Sequence, residues 1–183
     1  QLAGGNETSL KGISFNPNIP SEECFTSPKK GLAEGIVYAT KPLSYNGQLI
    51  EDFWIRFEGG KAVEWGAKTN KDLLGKIITM DEGSAYLGEC ALVPYDSPIS
   101  NSGLLFYNTL FDENAACHLA LGLGFMDCIR GFENKTLKEC QELGLNHSFM
   151  HVDFMIGSKD MNIDGYTADG QVFPIFRNGN WAF

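Results

Sequence analysis

An α+β fold, largely antiparallel or mixed β-sheet with a few short helices, is predicted by three features of the sequence. Glycine is abundant, at 21 of 183 residues, and phenylalanine numbers 13. That composition points to many turns and an aromatic core. Short runs of β-branched and aromatic residues are separated by Asn-Gly and Gly-Gly pairs, a hairpin signature. Helix-start signals are few and precede only short apolar stripes.

Residues 1–12 are polar and Gly-rich and read as a linker or lead-in; residues 13–183 read as one domain with its own core. From Ile13 to Pro28 three prolines forbid a helix interior or a central strand, so this segment is extended and loop-like. It presents two adjacent acids, Glu22 and Glu23. Ile36–Thr40, Phe53–Phe57 and Ala62–Trp65 read as strands, and Asn46-Gly47 and Gly59-Gly60 supply the positive φ of tight hairpin turns. Thr69–Met80 reads as a helix capped by Thr69, with Leu73, Leu74, Ile77 and Ile78 on one stripe.

Ser84–Val93 is extended and carries Glu89; Asp96–Ser102 reads as a turn, followed by the apolar Leu104–Tyr107. Leu110–Gly122 holds Asp112, Glu113 and His118 around small residues, and reads as a helix start running into a packed segment. Thr136-Leu-Lys-Glu139 is a capping box for a helix over 137–143, with Gly144 at its C-terminal end. Phe149–Ile156 alternates, with His151, Asp153 and Met155 on one face and Val152, Phe154 and Ile156 on the other. The aromatic stretch Val172–Phe183 reads as docked on the body.

The net charge of −9 argues against nucleic acid and against a membrane surface, both of which require clustered Lys and Arg. The longest nearly apolar run, Ala115–Met126, is too short to span a bilayer and contains His118. Five widely spaced cysteines without a CxxC pair read as reduced thiols. With no signal peptide in view, they imply a cytoplasmic protein. Beginning at Gln1 and not Met, the chain reads as a fragment or a processed form.

The chemistry concentrates in acids and two of the three histidines. In His151-Val-Asp153 the imidazole and carboxylate project from one strand face, offered either to an ion or to each other. Glu89 sits mid-strand among apolar residues, where an unpaired carboxylate is costly and a cationic partner is expected. Glu113 and His118, five apart, lie about 140° apart around a regular helix, so they share a site only if Glu113 is at the helix entrance. There Glu113 is alternatively a dipole-compensating acid, and His118 alternatively a satisfied core histidine. Glu23, Glu89, Glu113 and Asp153 carry four negative charges, and His118 and His151 are neutral when they ligate; two divalent ions balance the set. Mixed carboxylate and imidazole donors without thiolate suit Zn, Co or Mn in a catalytic site. Cys24, Cys90 and Cys117 neighbour these positions but point the other way along extended chain.

Four stretches together resemble the M29 family of metalloaminopeptidases: Asn18-Ile-Pro-Ser-Glu-Glu-Cys-Phe-Thr-Ser-Pro28, Gly88-Glu-Cys-Ala-Leu-Val93, Leu110–Gly122 and His151-Val-Asp-Phe-Met-Ile-Gly-Ser158. Asp160-Met-Asn-Ile-Asp-Gly and Phe176-Arg-Asn-Gly-Asn-Trp also fit. The resemblance covers nearly the whole chain, in order. It implies a cytoplasmic, homodimeric exopeptidase with two divalent ions (Zn, Co or Mn) that removes N-terminal residues from peptides with a free N-terminus. It implies metal ligands at Glu23, Glu89, Glu113, His118, His151 and Asp153, choosing Glu23 over Glu22. Glu89 or Asp153 is then the bridging carboxylate, and Glu22 a general base or amine anchor. Residues 13–183 resemble only the C-terminal, metal-binding part of the family; an α/β domain that precedes it there has no counterpart here. Phe125 stands where some members have a tyrosine. Two rival readings remain: a metal-binding or dimerisation fragment inactive without the missing domain, and a dimetal hydrolase of other specificity, such as a deacylase or dipeptidase.

Overall fold

A computed structural model describes residues 1–4, 7–16 and 22–183. The Pro17–Ser21 part of the proline-rich segment, and Gly5 and Asn6 of the lead-in, lie outside the described residues. In chain order the elements are strands β1 (Glu7–Thr8), β2 (Ser14–Phe15), β3 (Cys24–Thr26), β4 (Gly35–Tyr38), β5 (Leu43–Tyr45), β6 (Gln48–Ile50), β7 (Trp54–Glu58) and β8 (Lys61–Gly66). Helix α1 (Lys71–Ile78), strand β9 (Leu87–Leu92), and helices α2 (Pro98–Ser102) and α3 (Thr109–Asp112) follow. The chain continues through a 3-10 turn at Glu113–Ala115, strand β10 (His118–Gly122), helix α4 (Leu137–Glu142) and strand β11 (His151–Met155). Strands β12 (Ile163–Tyr166), β13 (Val172–Arg177) and β14 (Asn180–Trp181) complete it.

The fold is α+β, and every named sheet pairing is antiparallel. The central sheet has the order β11-β10-β9-β3. Its register puts His118 opposite Ala91 and Met155, and Ala120 opposite Glu89 and Asp153. Because side chains alternate, one face of this sheet carries Glu89, His118, Ala120, His151 and Asp153. The opposite face carries Leu119, Leu121, Val152 and Phe154, which enter the main core with Ile50, Phe53, Ile55, Phe57 and the buried stripe of α1. The Phe53 and Phe154 rings, 5.7 Å apart, join the two layers. Strands β4, β7 and β8 form the second sheet. Asn46-Gly47 and Gly59-Gly60 both adopt the expected positive φ.

The capping box at Thr136 and Glu139 forms as expected. Three other expectations need correction. Thr69 does not cap α1: its hydroxyl donates to Glu51 at 2.9 Å, and Asn70 takes the N-cap position in a left-handed conformation. Asp96–Ser102 is not merely a turn, because Ser97 accepts the Ser100 N–H and Pro98 fills the first helical position. His118 lies on β10, not on a helix continuing from Glu113. A run of five buried residues shows no amphipathic stripe, and such a run fits a central strand as well as a helix. At the C-terminal end Phe176 is fully buried against Trp181, their ring centres 4.5 Å apart, whereas Phe183 is exposed. Among the described residues no helix is long and apolar enough to cross a membrane.

Candidate metal centre

Glu89, His118, His151 and Asp153 are fixed by the ladder of the central sheet, and Glu23 immediately precedes β3. Glu113 comes from outside the sheet. It lies where α3 ends and the 3-10 turn begins, and that turn packs on β11. The expectation that Glu113 lies at a helix entrance needs correction: it sits at the exit of α3, as the first residue of the 3-10 turn that continues it. The change from helical to extended backbone at Ala116, not one helix face, brings Glu113 and His118 together.

Three overlapping groups of donor atoms result, each with its ligand atoms within 4.8 Å of one another: Glu23, Glu89 and His118; Glu89, His151 and Asp153; Glu113, His118 and Asp153. Together they contain all six positions singled out in the sequence. Glu22, the neighbour of Glu23, is exposed and falls in none of them. The cysteines stay outside as well, and Cys117 donates to the Val93 carbonyl.

Both imidazoles are oriented by backbone. Nδ1 of His118 lies 3.1 Å from the Ala116 carbonyl, and Nδ1 of His151 lies 2.7 Å from the Leu123 carbonyl. A carbonyl only accepts, so each Nδ1 carries the hydrogen and each Nε2 faces the carboxylates, as in metal-binding histidines. His151 Nε2 is 3.1 Å from Glu89 and 3.0 Å from Asp153. His118 Nε2 is fully buried, 3.6 Å from Glu23, and has no hydrogen-bond partner among the described residues. The Phe125 ring packs on His151 with centres 4.9 Å apart.

The electrostatics are those of crowded carboxylates. Burial is the main force lifting the Glu23 carboxyl to about 7; His118 pulls it down, and Glu89 and Asp153 push it up. Burial, then the charges of Asp153, Glu23 and Glu89, raises Glu113 to about 9. Burial disfavours a charged His151, but hydrogen bonds to Asp153 and Glu89 outweigh it and hold its pKa at about 10. Burial alone would raise Asp153, yet the bond to His151 keeps its carboxyl below the usual range. Without an ion, then, protons on Glu23, Glu113 and His151 compensate the negative charge. Such a cluster of displaced pKa values marks a functional site.

The donor set fits divalent ions. Oxygen and imidazole donors converge without thiolate, and among the described residues the buried His118 Nε2 has no hydrogen-bond partner of the kind a purely structural histidine has.

Ala120 is one of the small residues of Leu110–Gly122, expected to allow close packing against the strands that bear the other ligands, and period two from His118 places it on the same face. It stands between Glu89 and Asp153, one strand from each, and is completely buried. Adjacent strands are about 4.8 Å apart, so the two carboxylates must lean over its methyl group to meet at His151. Ala120→Val is therefore expected to fill that hollow and lower divalent-ion affinity at least tenfold. Overpacking should cost only about 1–3 kcal/mol of stability. Unchanged affinity in a chelator-competition titration would refute this role.

The profile of the family described as thermophilic metalloprotease (M29) matches residues 1–181. Aminopeptidase AmpS of Bacillus subtilis (strain 168) is 56% identical over 181 residues, which is 99% of this chain and 44% of that protein. Aminopeptidase T of Thermus aquaticus is 47% identical over 179 residues, covering 98% and 43% respectively. The solved structure of wild-type AmpT from Thermus thermophilus matches with a TM-score of 0.91 at 43% identity, over 100% of this chain and 45% of that one. The chain thus spans less than half the length of these relatives. With one family profile covering nearly all of its residues and a shared fold throughout, the chain belongs to the M29 family of thermophilic metalloproteases.

Proposed function

We propose that residues 13–183 form the metal-binding catalytic part of an aminopeptidase that hydrolyses the N-terminal peptide bond of peptides. In this reading Glu23, Glu89, Glu113, His118, His151 and Asp153 hold two divalent ions, of Zn, Co or Mn. The observation that carries it is the convergence of four carboxylates and two imidazoles around a buried His118 Nε2 that has no hydrogen-bond partner among the described residues. The names of the relatives AmpS and aminopeptidase T support the reaction class.

When bound, the ions supply Lewis acidity that generates a nucleophile from water and polarises the scissile carbonyl. The chain's own residues do the rest. Glu89 and Asp153 each belong to two of the three donor groups, which makes them the carboxylates best placed to be shared between ions. The Ala116 and Leu123 carbonyls hold both imidazoles by Nδ1, which directs each Nε2 toward the carboxylates. Glu22 is exposed beside the site, free either to accept the water proton on its carboxylate or to bind the substrate α-ammonium. The excess of acids suits a cationic N-terminus, the feature that defines an exopeptidase substrate.

A cytoplasmic location agrees with five unpaired cysteines. A homodimer would use exposed aromatic residues near the C-terminus, such as Tyr166 and Phe183. The coverage of under half of each relative favours a second reading, a metal-binding portion that needs the remainder of the protein for turnover. One experiment separates them: metal content of the full-length protein and of residues 1–183, measured beside hydrolysis of Leu-p-nitroanilide and its N-acetylated analogue. The first reading predicts chelator-sensitive turnover of the free-amine substrate alone. Bound metal without turnover in residues 1–183 selects the second, and equal hydrolysis of the acetylated substrate would point to a hydrolase of other specificity.

A further inference from the structure

Asp112 is buried, is adjacent to Glu113, and belongs to none of the donor groups. Its carboxylate reaches back along the chain instead: one oxygen accepts the Phe106 N–H at 2.8 Å and the other the Asn108 N–H at 3.1 Å. Between those two residues Tyr107 holds a left-handed φ of 59°, a conformation that is unfavourable for a bulky side chain and persists only where its surroundings impose it. On the other side of Glu113, the Asn114 carbonyl accepts the hydroxyl of Ser97 at 2.8 Å. Ser97 is also buried, and its oxygen caps α2 by accepting the Ser100 N–H at 3.1 Å. Helix α2 packs against the 3-10 turn that begins at Glu113.

We propose that Asp112 and Ser97 are positioning residues, the two jaws of a clamp that holds Glu113 over the metal-facing side of the central sheet. The physical need is specific to Glu113. Glu89, His118, His151 and Asp153 are aligned by β-ladder hydrogen bonds, and Glu23 is joined directly to β3. Glu113 alone hangs from a four-residue helix and a 3-10 turn, elements too short to be rigid by themselves. The clamp ties its two flanking residues to the segment between Ser97 and Asn108.

This inference rests on the reading that the six residues bind two ions, and its effect is confined to the ion that Glu113 touches. In the full-length protein, Zn affinities are measured by chelator competition for Asp112→Ala, Asp112→Asn, Ser97→Ala, Glu113→Gln and the double variant Asp112→Ala/Glu113→Gln. Loss of a residue that supports a ligand typically weakens metal binding by about 10–100-fold. Asp112→Ala is expected to weaken one ion by that amount and to leave the other unchanged, as Glu113→Gln does. Ser97→Ala should act in the same direction, and Asp112→Asn, which keeps one acceptor, should fall between. In the double variant the two effects should not add. A lowered melting temperature of the metal-free protein with both ion affinities intact would overturn the clamp, as would additivity in the double variant. Should Asp112→Ala fail to fold, Ser97→Ala and Asp112→Asn still decide the matter by the same readout. Unchanged affinity in Glu113→Gln would instead overturn the assignment of Glu113 as a ligand, and the clamp with it.

Discussion

Replacing Glu89 with alanine is expected to remove both ions from the site and to lower Leu-p-nitroanilide turnover more than about 1,000-fold, equivalent to roughly 4 kcal/mol of lost transition-state stabilisation. Glu89 is only 4% exposed and sits mid-strand in β9, with a sheet neighbour on either side. It belongs to two donor groups and lies 3.1 Å from His151 Nε2. An alanine there supplies no donor atom to either of the two groups that Glu89 completes. The fold should survive. Glu89 is one of the charges that raise Glu23 and Glu113, so its removal relieves repulsion in the metal-free protein. A metal-free variant that still folds, its relieved repulsion offset by the lost hydrogen bond to His151, together with lost metal and lost turnover, is the expected combination. Undiminished turnover, or full metal content in the variant, would sink the scheme.

The difference between Glu89 and Glu22 shows what the sequence could and could not convey. A carboxylate between Leu87 and Ala91-Leu92-Val93 conflicts with its strand environment, and that conflict is readable because burial of an unpaired charge is so costly. Glu22 and Glu23 present no such local contrast. Their separation into an exposed and a half-buried acid is decided by the entry into β3, which pairs Cys24 with Leu92 and Thr26 with Cys90, far beyond a local reading. The His151-Val-Asp153 pair was legible for the opposite reason, because period two in a strand is a local property. Within Leu110–Gly122 the helix start is present as α3, but the strand His118–Gly122 carries no local signal, because a central strand buried on both faces loses its alternation. The anchors of the imidazoles, Ala116 and Leu123, could not be seen at all: backbone carbonyls are present at every residue, and only the fold selects two of them. Asp112 and Glu113 look equivalent as an acid pair, whereas adjacent positions of one helical run point about 100° apart, so one side chain reaches the loop and the other the site.

Metal-free and metal-loaded protein should respond to pH in opposite directions. Glu23, lifted from 4.5 to about 7, and Glu113, lifted from 4.5 to about 9, bind more protons folded than unfolded across those intervals. His151, lifted from 6.5 to about 10, does the same above neutrality. A group whose pKa is raised on folding contributes stability that is complete below its unfolded value and lost as pH climbs through its folded value. Asp153, held low, acts in the other sense, but below pH 4, outside this range. Chelated protein is therefore expected to lose stability steadily from about pH 5 to pH 9. A loss of about 3 kcal/mol would correspond to roughly 6–12 °C in melting temperature for a chain of this size. Divalent ions compete for the same carboxylates and for Nε2 of His151, so their affinity rises as those protons leave. Ligand that binds only the folded state stabilises it in proportion to the logarithm of its saturation, so the gap between loaded and chelated melting temperatures should widen with pH. Thermal melts at pH 5.5, 7 and 8.5, with chelator and with excess Zn, test both slopes. A chelated protein that holds its melting temperature or gains stability toward pH 8.5 would mean that these carboxylates are not driven together as the geometry requires.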